Sequence, residues 1–323
     1  MTIHIIGAGS LGLLYGGRLA ASGSNVVLWC RSTEQAEQLR LNGITIEEKD
    51  EVIQISSELF QAKSITEFHD QSGLGENDFI FMMVKQTGIE TAVREILTPY
   101  SCMKRKLICF QNGTGHIEQI QRMLPNWSLF VAITTEGAKR VGETEVIHAG
   151  AGSTWIGQTG TSSIEGKQFC HETGQSEKAL AASLKRAGFE VFLSNDLDGM
   201  IYRKLLMNAV INPLTALWRI PNGALLESEE RIAFMRELYE EGITVYTACG
   251  IPWESDLWEQ ILKVCQSTSR NTSSMLKDVL EGRTTEVTSI NGSIVRMGES
   301  KGVPTPAHRL IWKLIEGIHV KEA

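Results

Sequence analysis

Short, largely apolar runs alternate with longer mixed segments through the first half of the chain. IHII (3–6) reads as a strand. A glycine-rich turn follows, then a helical pattern from about Ser10 to Ser22, stopped by Gly23 as glycine often does just beyond a helix end. VVLW (26–29) reads as a second strand. FIFMMV (79–84), LICF (107–110) and LFVAIT (129–134) are continuous apolar runs, the kind that parallel strands buried on both faces require. Helical stretches lie between them, and strand–helix alternation of this kind predicts a doubly wound parallel sheet. Shorter β-like pieces follow at EVIHAG and STWIG, and residues 158–176, rich in Gly, Ser, Thr and Gln, read as an exposed loop.

The texture changes near Asp198. Helical patterns then dominate, over 199–217, 227–249, 254–268, 284–301 and 306–319. The turn-like SNDLDG marks the change, which predicts an α/β domain over 1–195 and an all-helical domain over 196–323. A length of 323 residues fits two domains.

Composition narrows the function classes. Hydrophobic content of 42% and charged content of 21% are those of a soluble globular chain. The net charge, 31 − 38 = −7, with no Lys/Arg run, argues against nucleic acid as a partner. No apolar run approaches the ~20 residues of a membrane span, and MTIHIIGAGS lacks the basic start of a signal peptide. Six cysteines without a CxxC suggest reduced thiols and a cytoplasmic protein, and seven histidines without ligand spacing predict no metal site.

GAGSLG places Gly7, Gly9 and Gly12 in G-x-G-x-x-G spacing, with Ala8, Ser10 and Leu11 between them, directly after a strand and opening a helix. That context predicts a Rossmann-type dinucleotide site: a tight turn at Gly7, close approach of backbone to a pyrophosphate at Gly9, and close packing of helix on strand at Gly12. An NAD site usually carries Asp or Glu at the end of the second strand. Here that strand ends Trp29-Cys30-Arg31-Ser32. A guanidinium suits a 2′-phosphate, so Arg31 points to NADP. Lys85 ends another strand on the same edge and either adds charge near the adenosine phosphate or stands in solvent. Asn112, in QNGTG, either bonds the ribose–nicotinamide end or belongs to a plain Asn-Gly turn.

The helix KLLMNAVINPLTAL (204–217) carries Lys204, Asn208 and Asn212 at four-residue steps among apolar neighbours. Such residues share one slowly drifting face. Left buried and unpartnered, each would cost about 1–3 kcal/mol, the ammonium more. Either a structural network satisfies them or the face lines a polar ligand site. Asn222, in IPNG, extends the set.

With GAGSLG, QNGTG, RKLLMNAVINPLTALWRIPNG (203–223) and NTSSMLKDVLEGRTTEVTSINGSIVRMGESKGVPTP (271–306), the chain resembles the ketopantoate reductase (2-dehydropantoate 2-reductase) family over nearly its full length. The resemblance implies an N-terminal Rossmann domain for NADP(H) and a helical substrate domain. It implies NADPH-dependent reduction of ketopantoate to (R)-pantoate in pantothenate biosynthesis, by a cytoplasmic monomer or homodimer. Family roles fall on Lys204 as proton donor and on Asn208, Asn212 and Asn222 as substrate contacts. Asn271 and Ser274 would receive the substrate carboxylate, with Thr272 and Ser273 between them. Glu286 would lie near the cofactor and the lysine. On the cofactor side the resemblance implies the glycine turn, Arg31, Lys85, Asn112 and a small residue at Ala138. Two rival readings stay open: a reductase of another small oxo acid, and a non-catalytic NADP sensor, which accounts for the glycine turn but not for the polar line or Glu286.

Overall fold

The computed structural model describes all residues except 50, 71–73, 114, 159–173, 195–196 and 319–323. The exposed loop expected over 158–176 therefore falls mostly outside the described residues. The chain forms two compact units. One comprises Met1–Gln111 and His116–Leu197; the other comprises Asn112–Gly115 and Asp198–Ala323.

The first unit runs β1 (Thr2–Ile6), α1 (Ser10–Ala21), β2 (Asn25–Cys30), α2 (Thr33–Asn42), β3 (Ile44–Glu48), β4 (Glu51–Ile55), β5 (Gln61–Ser64), β6 (Phe79–Met82), α3 (Ile89–Ala92), β7 (Lys106–Cys109), α4 (His116–Met123), β8 (Ser128–Thr134), β9 (Gly137–Arg140), β10 (Glu145–Gly150), β11 (Ser153–Gln158), α5 (Gln175–Arg186) and β12 (Glu190–Leu193). The main sheet has the order β12-β11-β8-β7-β6-β1-β2-β5. Its strands from β5 to β8 are parallel, and β11 pairs antiparallel to β8. β1 lies between β2 and β6, so the order reverses there, and ligands of open α/β sheets collect at the carboxyl ends of the strands around such a point. A second sheet, β4-β3-β10-β9, lies beyond the expected architecture.

α1 joins the two sheets. Tyr15 is fully buried, stacked on Phe189 at 4.1 Å, with its hydroxyl 2.6 Å from Thr154 and 3.1 Å from Thr134. Burying a phenol without such partners would be costly. Arg18 pairs with Glu48 of β3 and lies 3.1 Å from His148 Nδ1 of β10; His148 Nε2 lies 2.7 Å from Glu136. Charge thus anchors the second sheet to the helix that the glycine turn opens.

The second unit holds α6 (Asp198–Trp218), α7 (Glu229–Cys249), α8 (Leu257–Ser267), α9 (Ser274–Leu280), α10 (Val287–Lys301) and α11 (Pro306–Ile318). Its core gathers Leu205, Leu206, Val210 and Leu214 of α6 with Leu238, Val245, Ile290, Ile294 and Ile311. No described helix is long and apolar enough to cross a membrane.

Pro213 sits inside α6 and supplies no N–H for the carbonyl of Ala209, its i−4 partner. Asn291 of α10, fully buried, donates Nδ2 to that carbonyl at 2.9 Å. Its other hydrogen reaches His308 Nδ1 at 3.1 Å, while His308 Nε2 lies 3.0 Å from the Leu238 carbonyl. A carbonyl only accepts, so Nε2 carries the proton and the imidazole is neutral. Burial holds its pKa down to about 4. Asn291→Leu strips a donor from two buried acceptors. It should cost on the order of 2 kcal/mol, read as a lower melting temperature; an unchanged melting temperature would show that the network contributes nothing.

Candidate active site

In the first unit the glycine turn is shaped by its neighbours. Gly7 has φ 105°, and its N–H donates to Trp29 O at 3.0 Å. A Cβ there would press on the backbone of Val84 at 2.9 Å, and one on Gly12 would collide with the Gly7 carbonyl. Gly9 is the N-cap of the twelve-residue α1, with no side-chain cap, and the first turn holds no acid. Nothing lies within 4 Å of a Cβ built on Gly9. Ala8 is buried and Leu11 packs against the core of the unit. Ser10 Oγ accepts the N–H of Arg140 at 3.0 Å.

Arg31 follows β2, exposed and, among the described residues, in no ion pair. Lys85 is exposed just beyond β6. Ala138 lies in β9, packed against the core. These residues fit a nicotinamide dinucleotide: an uncapped helix N-terminus for the pyrophosphate, with a guanidinium in place of an acid at the next strand end.

Two side chains beyond those singled out in the sequence complete this edge. Gln35, only 4% exposed, donates Nε2 to Ala8 O at 2.8 Å and to Glu143 O at 3.0 Å. Gln111 donates to Met82 O and Val84 O at 2.9 and 2.8 Å.

In the second unit, α6 carries Lys204 and Asn208 half-buried and Asn212 buried on one drifting face. Burial pushes the Lys204 ammonium down to about 8, opposed by the charge of Glu286. Glu286 is the N-cap of α10, and Asn112 Nδ2 donates to its carboxylate at 3.4 Å. Lys204, Glu286 and Asn112 are therefore brought together. Of the two arrangements open for the polar line, the lysine has a carboxylate neighbour. The side chains of Asn208 and Asn212 hydrogen-bond no described residue.

Asn222 is held differently. Its N–H donates to Asn271 O at 3.1 Å and its Nδ2 to Thr268 Oγ1 at 2.9 Å, while Oδ1 is buried without a described partner. It ties the turn after α6 to the α8–α9 connection. Asn271 and Ser274 are exposed, Ser274 being the first residue of α9. Ser273 caps α9, accepting Leu276 N at 3.1 Å, and lies 2.7 Å from Thr215 Oγ1. Thr215 donates to Asn212 O, so the Ser273 hydroxyl donates to Thr215. Thr215 sits three residues past Asn212, a spacing that extends the polar line by one more position. Gln35 leaves no such trace, because a lone glutamine beside Ala36 reads as a surface residue.

Residues 3–160 match the family described as "Ketopantoate reductase PanE/ApbA", and residues 196–319 its C-terminal counterpart. A "2-dehydropantoate 2-reductase" of Listeria monocytogenes is 30% identical over 320 residues, covering 98% of this chain and 97% of the relative. One from Archaeoglobus fulgidus is 29% identical over 317 residues, with 98% and 97% covered. The crystal structure of a "PanE/ApbA family ketopantoate reductase" from Ralstonia eutropha JMP134 superposes with a TM-score of 0.85 at 26% identity, covering 99% of this chain and 98% of that one.

Proposed function

Because this chain belongs to the ketopantoate reductase family, we propose that it is the oxidoreductase that reduces 2-dehydropantoate to (R)-pantoate with NADPH, within pantothenate biosynthesis. The observation that carries the reading is the ammonium of Lys204 set against Glu286 on a helix face whose two further amides are uncommitted. Bound NADPH supplies the hydride that the ketone carbon takes up. The residues here do the rest.

Lys204 donates a hydrogen bond to the ketone oxygen and then the proton that the developing alkoxide needs. A pKa of about 8 keeps it charged at neutral pH and makes it a stronger acid than an ordinary lysine. Glu286 holds the ammonium in place, and Asn112 restrains Glu286. Asn208 and Asn212 offer neutral donors and acceptors to the substrate, and Asn271 and Ser274 hold its carboxylate. Ser273 and Thr215 fix the segment that carries that pair. Asn222 acts on the same segment through its clip to Thr268 and Asn271.

The test is direct. Purified protein is mixed with NADPH and ketopantoate, and loss of NADPH absorbance is followed. Loss only when both are present supports the reading; NADPH binding without turnover of any oxo acid favours a sensor. Turnover confined to a different oxo acid keeps the chemistry and replaces the substrate.

The acidity of Lys204 also sets a pH profile. Reduction needs the ammonium, so kcat/KM for ketopantoate should be level below about pH 8 and fall roughly tenfold per unit above it. Oxidation of pantoate needs the neutral amine and should rise over the same interval. A reduction rate that stays flat to pH 10 would remove Lys204 as the acid.

A further inference from the structure

We infer that Gln35 is a positioning residue that aims the N–H of Gly9 at the pyrophosphate of the dinucleotide. The inference rests on the NADP reading and adds a residue to it. In a trans peptide the carbonyl of one residue and the N–H of the next point in opposite directions, and no cis bond occurs among the described residues. The direction of the Ala8 carbonyl therefore sets the direction of the Gly9 N–H.

Gln35 fixes that carbonyl. Its Nε2 donates one hydrogen to Ala8 O and the other to Glu143 O, at 2.8 and 3.0 Å, so the amide has no donor to spare and cannot swing without losing a bond. The glutamine is itself anchored at its backbone, whose N–H donates to Ser32 Oγ at 3.2 Å. The rest of the turn is tied at both ends, by Gly7 N to Trp29 O and by Leu13 N to Gly9 O. The Ala8–Gly9 peptide is the plane left for Gln35 to set. On its other side no described acceptor takes the Gly9 N–H, and space is open around Gly9. An anion of the size of a phosphate group meets a donor held in one direction.

The same amide ties the 141–144 turn between β9 and β10 to the glycine turn. Arg140, the last residue of β9, donates its N–H to Ser10 Oγ and makes a second tie beside it. Gln35 also stands four residues beyond Arg31. One side chain thus registers the pyrophosphate donor against the start of the helix that follows the 2′-phosphate reader.

Two ligands separate this role from a merely structural one. NADPH contains the pyrophosphate; adenosine 2′-monophosphate keeps the 2′-phosphate and lacks it. Gln35→Met keeps the length and removes both donors. It should raise the Kd for NADPH about tenfold, the effect of one charge-assisted bond misdirected, with the Kd for adenosine 2′-monophosphate within about twofold of wild type by the same reasoning. Equal weakening of both ligands, or unchanged NADPH affinity, overturns the inference. A wild-type protein that binds no NADPH overturns the cofactor reading itself and this inference with it.

Discussion

Replacing Lys204 by alanine lowers kcat for ketopantoate reduction by about 10²- to 10⁴-fold, the usual contribution of a positioned general acid, and leaves the fold intact. The rate falls because no other described cation is assigned to the ketone oxygen, and the alkoxide would have to draw its proton from water. The fold survives because burial of the ammonium opposes its charge, as its lowered pKa shows, so removing it relieves a desolvation cost. Glu286 loses a favourable neighbour but keeps its place at the start of α10 and its contact with Asn112. Steady-state kinetics together with a melting curve decide the matter. Turnover within a few-fold of wild type would take Lys204 out of the chemistry, whereas a collapsed melting curve would make it a structural residue.

Arg31→Ala should raise the Kd for NADPH by about 10- to 100-fold while changing that for NADH by less than about threefold. The first figure corresponds to loss of one or two charge-assisted hydrogen bonds to a phosphate; NADH has no 2′-phosphate to lose. Arg31 is exposed and in no described ion pair, so the variant gives up no internal contact. Fluorescence titration with both nucleotides measures the pair of constants. Equal weakening of NADPH and NADH would mean that the guanidinium reads something common to both, and the preference for NADP would need another source.

The sequence is most legible where side chains decide the structure. β1, β2, β6, β7 and β8 are buried on both faces, and the chain spells their centres as apolar runs, broken only by His4 in β1. β9 reads GAKR and β4 reads EVIQI, mostly exposed, so backbone pairing holds them and composition hides them. The run 79–84 ends as a strand at Met82, because the chain turns where Val84 meets Gly7. α9 is a separate short helix whose cap, Ser273, sits in a cluster of polar residues that gives several candidate starts. Residues 112–115 belong with the helical unit although they follow β7, a long-range grouping no local pattern encodes.

The site divides the same way. Lys204, Asn208 and Asn212 are visible because a helix repeats every four residues or so, and polar groups on that repeat break an apolar background. Glu286, Asn271, Ser274 and Ala138 come only from the family resemblance, since each sits at a helix end, in a connection or in a strand where its residue type is ordinary. The partnership of Glu286 with Lys204 spans 82 positions and is a product of packing.

Pro213 has a consequence for anyone who would engineer this protein for heat resistance. Exchanging a mid-helix proline for alanine is a standard improvement, favourable by about 3 kcal/mol on intrinsic preference. In α6 the exchange would return an N–H to the Ala209 carbonyl and set it in competition with Asn291. The helix would gain its own rung and loosen its cross-brace to α10, whose N-cap is Glu286. A sturdier scaffold and a slacker acid would then arrive in the same variant.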